Sequence, residues 1–164
     1  MDFSLEQQLA GPVEAVVGAL LDPEFLAASA HLPKVGGAEL LEDRRDGTTV
    51  HRRIRYRFTA ELSSAVTRVV DPKKLTWVDE SVYDLATHRG GHRILPDNYA
   101  DRLQANYDEV VTAAGSSGTV RTAAGVVKVR MPLVGGRVER AIVSGLQDHA
   151  VAEAELIDHW LSRR

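Results

Sequence analysis

PLVGGRVERAIVSGLQDHAVAEAELIDHWL, running from Pro132 to Leu161, closes a chain whose earlier segments read as β-strands. After Gly136 the residues Val138, Ala141, Ile142, Leu146, Ala150, Leu156, Ile157, Trp160 and Leu161 recur mostly at three- and four-residue steps, the α-helical period. Arg137, Glu139, Arg140, Asp148, Glu153, Glu155 and Asp158 fall mostly between them. A lone helix of this length cannot cover its own apolar stripe, so the strands before it must supply the partner surface. Burial is expected at Ile142, Leu146, Leu156, Ile157 and Trp160.

Upstream, Asp2–Leu9 alternates as a strand, with Phe3, Leu5, Gln7 and Leu9 on one face. Gly11-Pro12 ends it. Val13, Val16, Val17, Leu20 and Leu21 follow at helical spacing, and Asp22-Pro23 restarts a second short helix through Phe25, Leu26 and Ala30. Beyond Gly36-Gly37, strands at Ala38–Arg45 and Thr48–Phe58 are joined by Asp46-Gly47, a dipeptide suited to a tight hairpin. Leu62, Val66, Val69 and Val70 fit a short helical face ended by Asp71-Pro72, although Val66–Val70 equally fits the start of a strand. Further strands are expected at Lys74–Tyr83, Thr87–Leu95, Ala100–Ala113 and Gly118–Arg130. Gly90-Gly91 inside the second of these reads as a bulge or as a turn that splits it.

Composition narrows the function. The 164 residues fit one domain, 1–164, with no linker dividing it. A net charge of −3 argues against nucleic acid as a partner, despite the run from His51 to Arg57. Without cysteine there is neither a disulfide framework nor a thiolate nucleophile. No apolar stretch reads as a signal peptide or membrane span, so a cytoplasmic location without integral membrane association is expected. The sequence leaves the oligomeric state open.

The order strand, two short helices, a run of antiparallel strands and a long C-terminal helix resembles the START-like or helix-grip superfamily. That superfamily includes pollen-allergen-like, polyketide cyclase-like and lipid-transfer domains. Local phrases share in the likeness: Gly11-Pro12-Val13-Glu14-Ala15-Val16, Leu21-Asp22-Pro23-Glu24-Phe25, Asp71-Pro72-Lys73-Lys74-Leu75-Thr76-Trp77, and Met131-Pro132-Leu133-Val134-Gly135-Gly136. They look like a bacterial branch of the superfamily whose function is unassigned. The resemblance covers nearly the whole chain and implies an α+β helix-grip fold, a curved antiparallel sheet of about seven strands around the C-terminal helix with a cavity between them. None of the phrases is catalytic; turns, helix starts and core packing explain each of them.

Strand parity names the residues that would line such a cavity. In the second hairpin strand Val50, Arg52, Ile54, Tyr56 and Phe58 share the apolar face, while His51, Arg53, Arg55 and Arg57 face out. An inward Arg52 needs a partner, with Asp79 or Glu109 expected, or else an anionic group of a ligand. Leu75, Trp77, Asp79 and Tyr83 share one parity, as do Leu103, Ala105, Tyr107, Glu109 and Val111. The candidate ligand-binding set is therefore Arg52, Ile54, Tyr56, Phe58, Trp77, Asp79, Tyr83, Tyr107 and Glu109.

No metal or other cofactor is expected. Four residues of regular strand, the separation of His88 and His92, span roughly 13 Å, too far for one ion. His149 and His159 read as members of exposed helical charge pairs with Glu153 and Glu155. No Ser-His-Asp order, phosphate loop or zinc motif is present. The leading reading is a non-catalytic carrier of a small apolar or amphipathic molecule, uncharged or weakly anionic, in the manner of lipid-binding domains. Two alternatives stand beside it. One is a cyclase- or hydrolase-like enzyme using Arg52, Asp79, Tyr83 and Tyr107, and the other is a protein-interaction module without a ligand.

Overall fold

The computed structural model describes residues 1–164. In chain order the elements are β1 (Asp2–Leu9), α1 (Val13–Leu21), α2 (Pro23–Ser29), β2 (Val35–Asp46), β3 (Thr49–Phe58), α3 (Ser64–Thr67), a 3-10 turn (Pro72–Lys74), β4 (Thr76–Asp84), β5 (Arg89–Pro96), β6 (Leu103–Ala114), β7 (Gly118–Val129) and α4 (Gly135–Ser162). The seven strands form one antiparallel sheet in the order β1-β7-β6-β5-β4-β3-β2. Strands β2 to β7 neighbour one another in chain order, with α3 and the 3-10 turn in the β3–β4 connection, and β1 crosses back to pair with β7. No helix is long and apolar enough to cross a membrane.

Helix α4 lies on the inner face of the sheet, where it packs mainly against β1 and β7, and α1 and α2 close one end of the gap. Two glycines allow the close approach. A Cβ on Gly135 would sit 2.5 Å from the Val129 carbonyl oxygen, and one on Gly145 would sit 2.7 Å from Phe58 Cε2. Of the five helix residues expected in the core, only Ile157 is fully buried. Ile142, Leu146, Leu156 and Trp160 are half-buried. Ile142 and Leu146 line an interior cavity, and Ile142 also packs against the cluster of Val66, Val70, Val127, Val129 and Val138. Trp160 meets Phe25 edge-on at 5.6 Å, with the Arg164 guanidinium 4.4 Å from the centre of its ring.

Three local expectations are corrected. Gly36-Gly37 does not precede β2 but lies within it, because a bulge between Gly36 and Glu39 uses Gly37 at φ +68° to keep the ladder going. The helix read over Leu62–Val70 shrinks to Ser64–Thr67; Val66 and Val70 are buried, whereas Val69 is half-exposed. Gly90-Gly91 is neither a bulge nor a turn, since both residues sit in regular register, Gly90 between Tyr83 and Glu109 and Gly91 between Val82 and Asp108. A Cβ on Gly90 would lie 2.9 Å from the Tyr83 ring and 3.0 Å from Glu109 Cγ, so the glycine clears space for two inward side chains.

Candidate functional site

Between the sheet and α4 lies a cavity of about 240 Å3, and 23 of its 37 lining residues are hydrophobic, which suits the apolar part of a small ligand. All nine residues selected by strand parity line it. They converge because inner-face positions on β3, β4 and β6 alternate with a period of two, and the sheet curvature aims them at one volume. The Tyr56 and Trp77 rings, opposite each other on β3 and β4, lie 6.1 Å apart. Exposed Lys74 and Asn98 belong to the rim.

One wall is a continuous chain of polar groups across the sheet and α4. Tyr107 Oη donates to Asp79 Oδ2 at 2.7 Å. His92 Nδ1 lies 2.9 Å and 3.1 Å from the two Asp79 oxygens, and its Nε2 is 3.3 Å from Glu109 Oε1. The imidazole also stacks on the Tyr107 ring at 4.1 Å, with 12° between the planes. Arg121 then donates to Glu109 and Glu153, both at 2.7 Å, and to Gln7 Oε1 at 3.0 Å. Gln7 Nε2 completes the chain at Ala150 O (2.7 Å) and Glu153 (3.1 Å). Every buried carboxylate in it thus has a cation or amide donor, which is the condition for tolerating charge in an apolar interior.

This environment sets the protonation states. Burial alone would lower the His92 pKa, but hydrogen bonds and charge from Asp79 and Glu109 outweigh it and raise it to about 9, so His92 is an imidazolium at neutral pH. Burial alone would raise Glu109; the adjacent Arg121 charge and the His92 hydrogen bond bring it down to about 2. Burial acts the same way on Glu153 and is again outweighed by Arg121, which leaves its pKa lowered. Tyr56, Tyr83 and Tyr107 are all pushed up, chiefly by burial and then by neighbouring carboxylates, so they remain neutral phenols.

Arg52 points inward as expected, with 4% of its surface exposed, but its partners are not Asp79 or Glu109. Its Nη1 donates to Leu20 O at 2.9 Å, and its Nε lies 3.3 Å from Asp43 Oδ2. Asp43 sits directly opposite on β2 and therefore reaches the guanidinium first, while Asp79 is engaged by His92 and Tyr107, and Glu109 by Arg121 and His92. Arg52 Nη2 and Tyr83 Oη make no hydrogen bond. The two residues are diagonal neighbours on β3 and β4, and both line the cavity.

Three site members escape a reading of the sequence. His92 stands out there only as a metal ligand to be paired with His88, yet the turn before β5 keeps His88 out of the lining. Ile94 and Pro96 share the inward parity of His92 and carry the signal. Arg121 shares the parity of Ala123 and Val127, but β7 is apolar on both faces and gives no contrast. Glu153, read as an exposed helical charge, stands in the inward stripe of Leu146, Ala150 and Ile157 and is held by Arg121 and Gln7.

A curved seven-stranded sheet gripping a C-terminal helix around a cavity is the START-like, helix-grip fold, and comparison with solved structures agrees. TTHA0849 from Thermus thermophilus superposes with a TM-score of 0.70 at 18% identity, covering 96% of this chain and 97% of that one. The Zhui aromatase/cyclase from Streptomyces sp. R1128 gives 0.66 at 16% identity, covering 100% and 94%. A START superfamily protein from Mycobacterium smegmatis gives 0.58 at 14%, covering 99% and 97%. At these identities the likeness concerns the fold. Residues 4–161 match the family model described as "Protein of unknown function (DUF2505)", and the chain belongs to that family. No curated protein matches it.

Proposed function

We propose that the cavity binds a small, uncharged amphipathic molecule, with its apolar body against Tyr56, Phe58, Trp77, Ile94 and Ile142 and a hydrogen-bond-accepting oxygen at Arg52 and Tyr83. One observation carries this reading: Arg52 Nη2 and Tyr83 Oη, on two buried side chains that line the mostly apolar cavity, have neither a hydrogen-bond nor an ion-pair partner, whereas His92 Nε2, also without a hydrogen bond, faces Glu109. Buried polar atoms are costly when unmatched, so a carbonyl or ether oxygen placed there is favoured over a hydrocarbon. Charge argues against an anion, because the polar wall sets three carboxyl groups against two cations and Arg52 already faces Asp43. Quenching of Trp77 fluorescence during titration with an aromatic ketone, a long-chain methyl ketone and a fatty acid tests the reading. Dissociation constants for the ketones in the range of about 1–100 μM, weakened by Arg52→Met, support it. Failure of every ligand to bind below roughly millimolar concentration overturns it.

A second reading has a specific basis. His92, charged at neutral pH and held between two carboxylates, is an acid at the cavity wall, and an acid that protonates a bound carbonyl while a carboxylate takes a neighbouring C–H proton would promote enolisation and ring closure. The fold is shared with an aromatase/cyclase, which makes the reaction class worth assaying. Mass spectrometry of a bound polyketone separates the two readings: unchanged mass and structure supports carriage, and loss of water that depends on His92 supports catalysis.

A further inference from the structure

Six exposed cations, Arg68, Lys73, Lys74, Arg130, Arg137 and Arg140, make no ion pair, although the chain as a whole carries a net charge of −3. They gather at one end of the molecule. Arg68 follows α3, the lysines form the 3-10 turn, Arg130 follows β7, and Arg137 and Arg140 begin α4. A single apolar cluster joins these segments, with Val66 and Val70 beside Val129 and Val138, and Leu75 and Met131 packed against it. Of the nearby carboxylates, Asp71 accepts Lys73 N–H, Asp101 faces Arg102 at 3.5 Å and Glu139 accepts Val129 N–H at 2.8 Å, which leaves Glu61, beside Leu62, as an exposed carboxylate without a partner against the six cations.

Among these cations the chain exposes apolar side chains. Leu133, between Arg130 and Arg137, is 99% exposed and held at φ +68°, a conformation disfavoured for any residue with a Cβ. Val69, next to Arg68, is 50% exposed. A nucleic acid would be met by the arginines and has no use for a bare leucine. A lipid surface uses both, with an apolar side chain entering the acyl boundary while cations meet anionic headgroups. We propose that this end of the molecule docks on an anionic phospholipid bilayer, with Leu133 and Val69 inserted and the six cations at headgroup level. Lys74 also belongs to the cavity rim, so docking brings the rim to the bilayer. The docking does not depend on what the cavity holds.

The test is co-sedimentation of the full chain with phosphatidylcholine vesicles, with and without phosphatidylglycerol, at low and high salt. At least a hundredfold stronger partition into the anionic vesicles, weakened by salt, is expected from a few cations at about fivefold each. Each cation near such a surface contributes about fivefold, so Arg137→Gln/Arg140→Gln should lower partition about 25-fold. Leu133→Ser should weaken it further, including at high salt, where the apolar contribution persists. Arg89→Gln, at an exposed unpaired cation where β5 begins at the opposite end of the sheet, should change nothing. All of these sites are on the surface, and circular dichroism verifies that the variants fold. Equal partition into both vesicle types, no partition at low salt, retention by the double arginine variant, or tighter binding to duplex DNA in the same buffer overturns the proposal.

Discussion

Replacing Arg121 by methionine removes the one cation shared by Glu109 and Glu153. Both partners sit at 2.7 Å, and the side chains of Arg121, Glu109 and Glu153 are only 13%, 7% and 18% exposed, so water cannot replace the lost charge. Breaking a buried pair by deleting one partner costs about 3–5 kcal/mol, because the other charge is left unmatched. Glu109 keeps His92 at 3.3 Å and Glu153 keeps the Gln7 amide at 3.1 Å, which puts Arg121→Met near the middle of that range, about 4 kcal/mol. With a urea m-value of about 2 kcal/mol/M, typical of a domain of this size, the midpoint should fall by about 2 M. Acid provides an internal control. In the parent, Glu109 has a folded pKa of about 2, below its ordinary value of 4.5, so its contribution to stability is present above pH 4.5 and is lost as pH falls towards 2. Without Arg121 that carboxyl prefers to be protonated, so the gap between variant and parent should narrow as pH falls. Adding Glu109→Gln to Arg121→Met should recover part of the loss, a non-additivity expected of residues in one network. A variant within about 1 kcal/mol of the parent at pH 7 would refute the assignment of Arg121 as the centre of the polar wall.

His92 gives the opposite sign. Its folded pKa of about 9 lies above the ordinary 6.5, so its contribution is complete below pH 6.5 and is lost as pH rises through about 9; His92→Gln should remove that segment of the stability profile, measured by urea melts at stepped pH. Gly90→Ala should cost about 1–3 kcal/mol in the same assay, since the new methyl meets the Tyr83 ring and Glu109 Cγ in a packed wall. Ile157→Ala should cost about 2–5 kcal/mol, whereas Trp160→Ala should cost less than the roughly 3–5 kcal/mol of a fully packed aromatic, because Trp160 is half-buried. Equal losses for Ile157→Ala and Trp160→Ala in urea would contradict the packing of α4.

The hairpin at Asp46-Gly47, the paired short helices and the stripe of α4 are legible in the sequence because turn chemistry and hydrophobic period agree there. Parity is equally legible on β3, where Ile54, Tyr56 and Phe58 alternate with Arg53, Arg55 and Arg57; β4 and β6 alternate less cleanly, with Asp79 and Glu109 on the inner face and Val78, Val82 and Val110 on the outer. The polar wall is not legible as a whole. Its members come from β1, β4, β5, β6, β7 and α4, and nothing local in Arg121 or Glu153 announces a partner that lies 12 or 32 residues away. Arg52 shows the same limit. Parity fixes its direction, but its partner depends on the register of β2, where a bulge and a cross-strand Asp43 decide the contact. The regular pairing of Gly90 and Gly91 goes against local expectation because the tertiary need for space beside Tyr83 outweighs turn propensity.

The most direct test of ligand binding in the cavity is isothermal titration of an aromatic ketone into the parent and into Ala105→Trp. Ala105 lines the cavity on the inner face of β6, and the larger side chain would occupy the ligand volume. The expected result is saturable binding to the parent with a dissociation constant of about 1–100 μM, and no binding to the folded variant. Equal affinity in both proteins, or no heat of binding in the parent with any neutral amphipathic ligand, would contradict it.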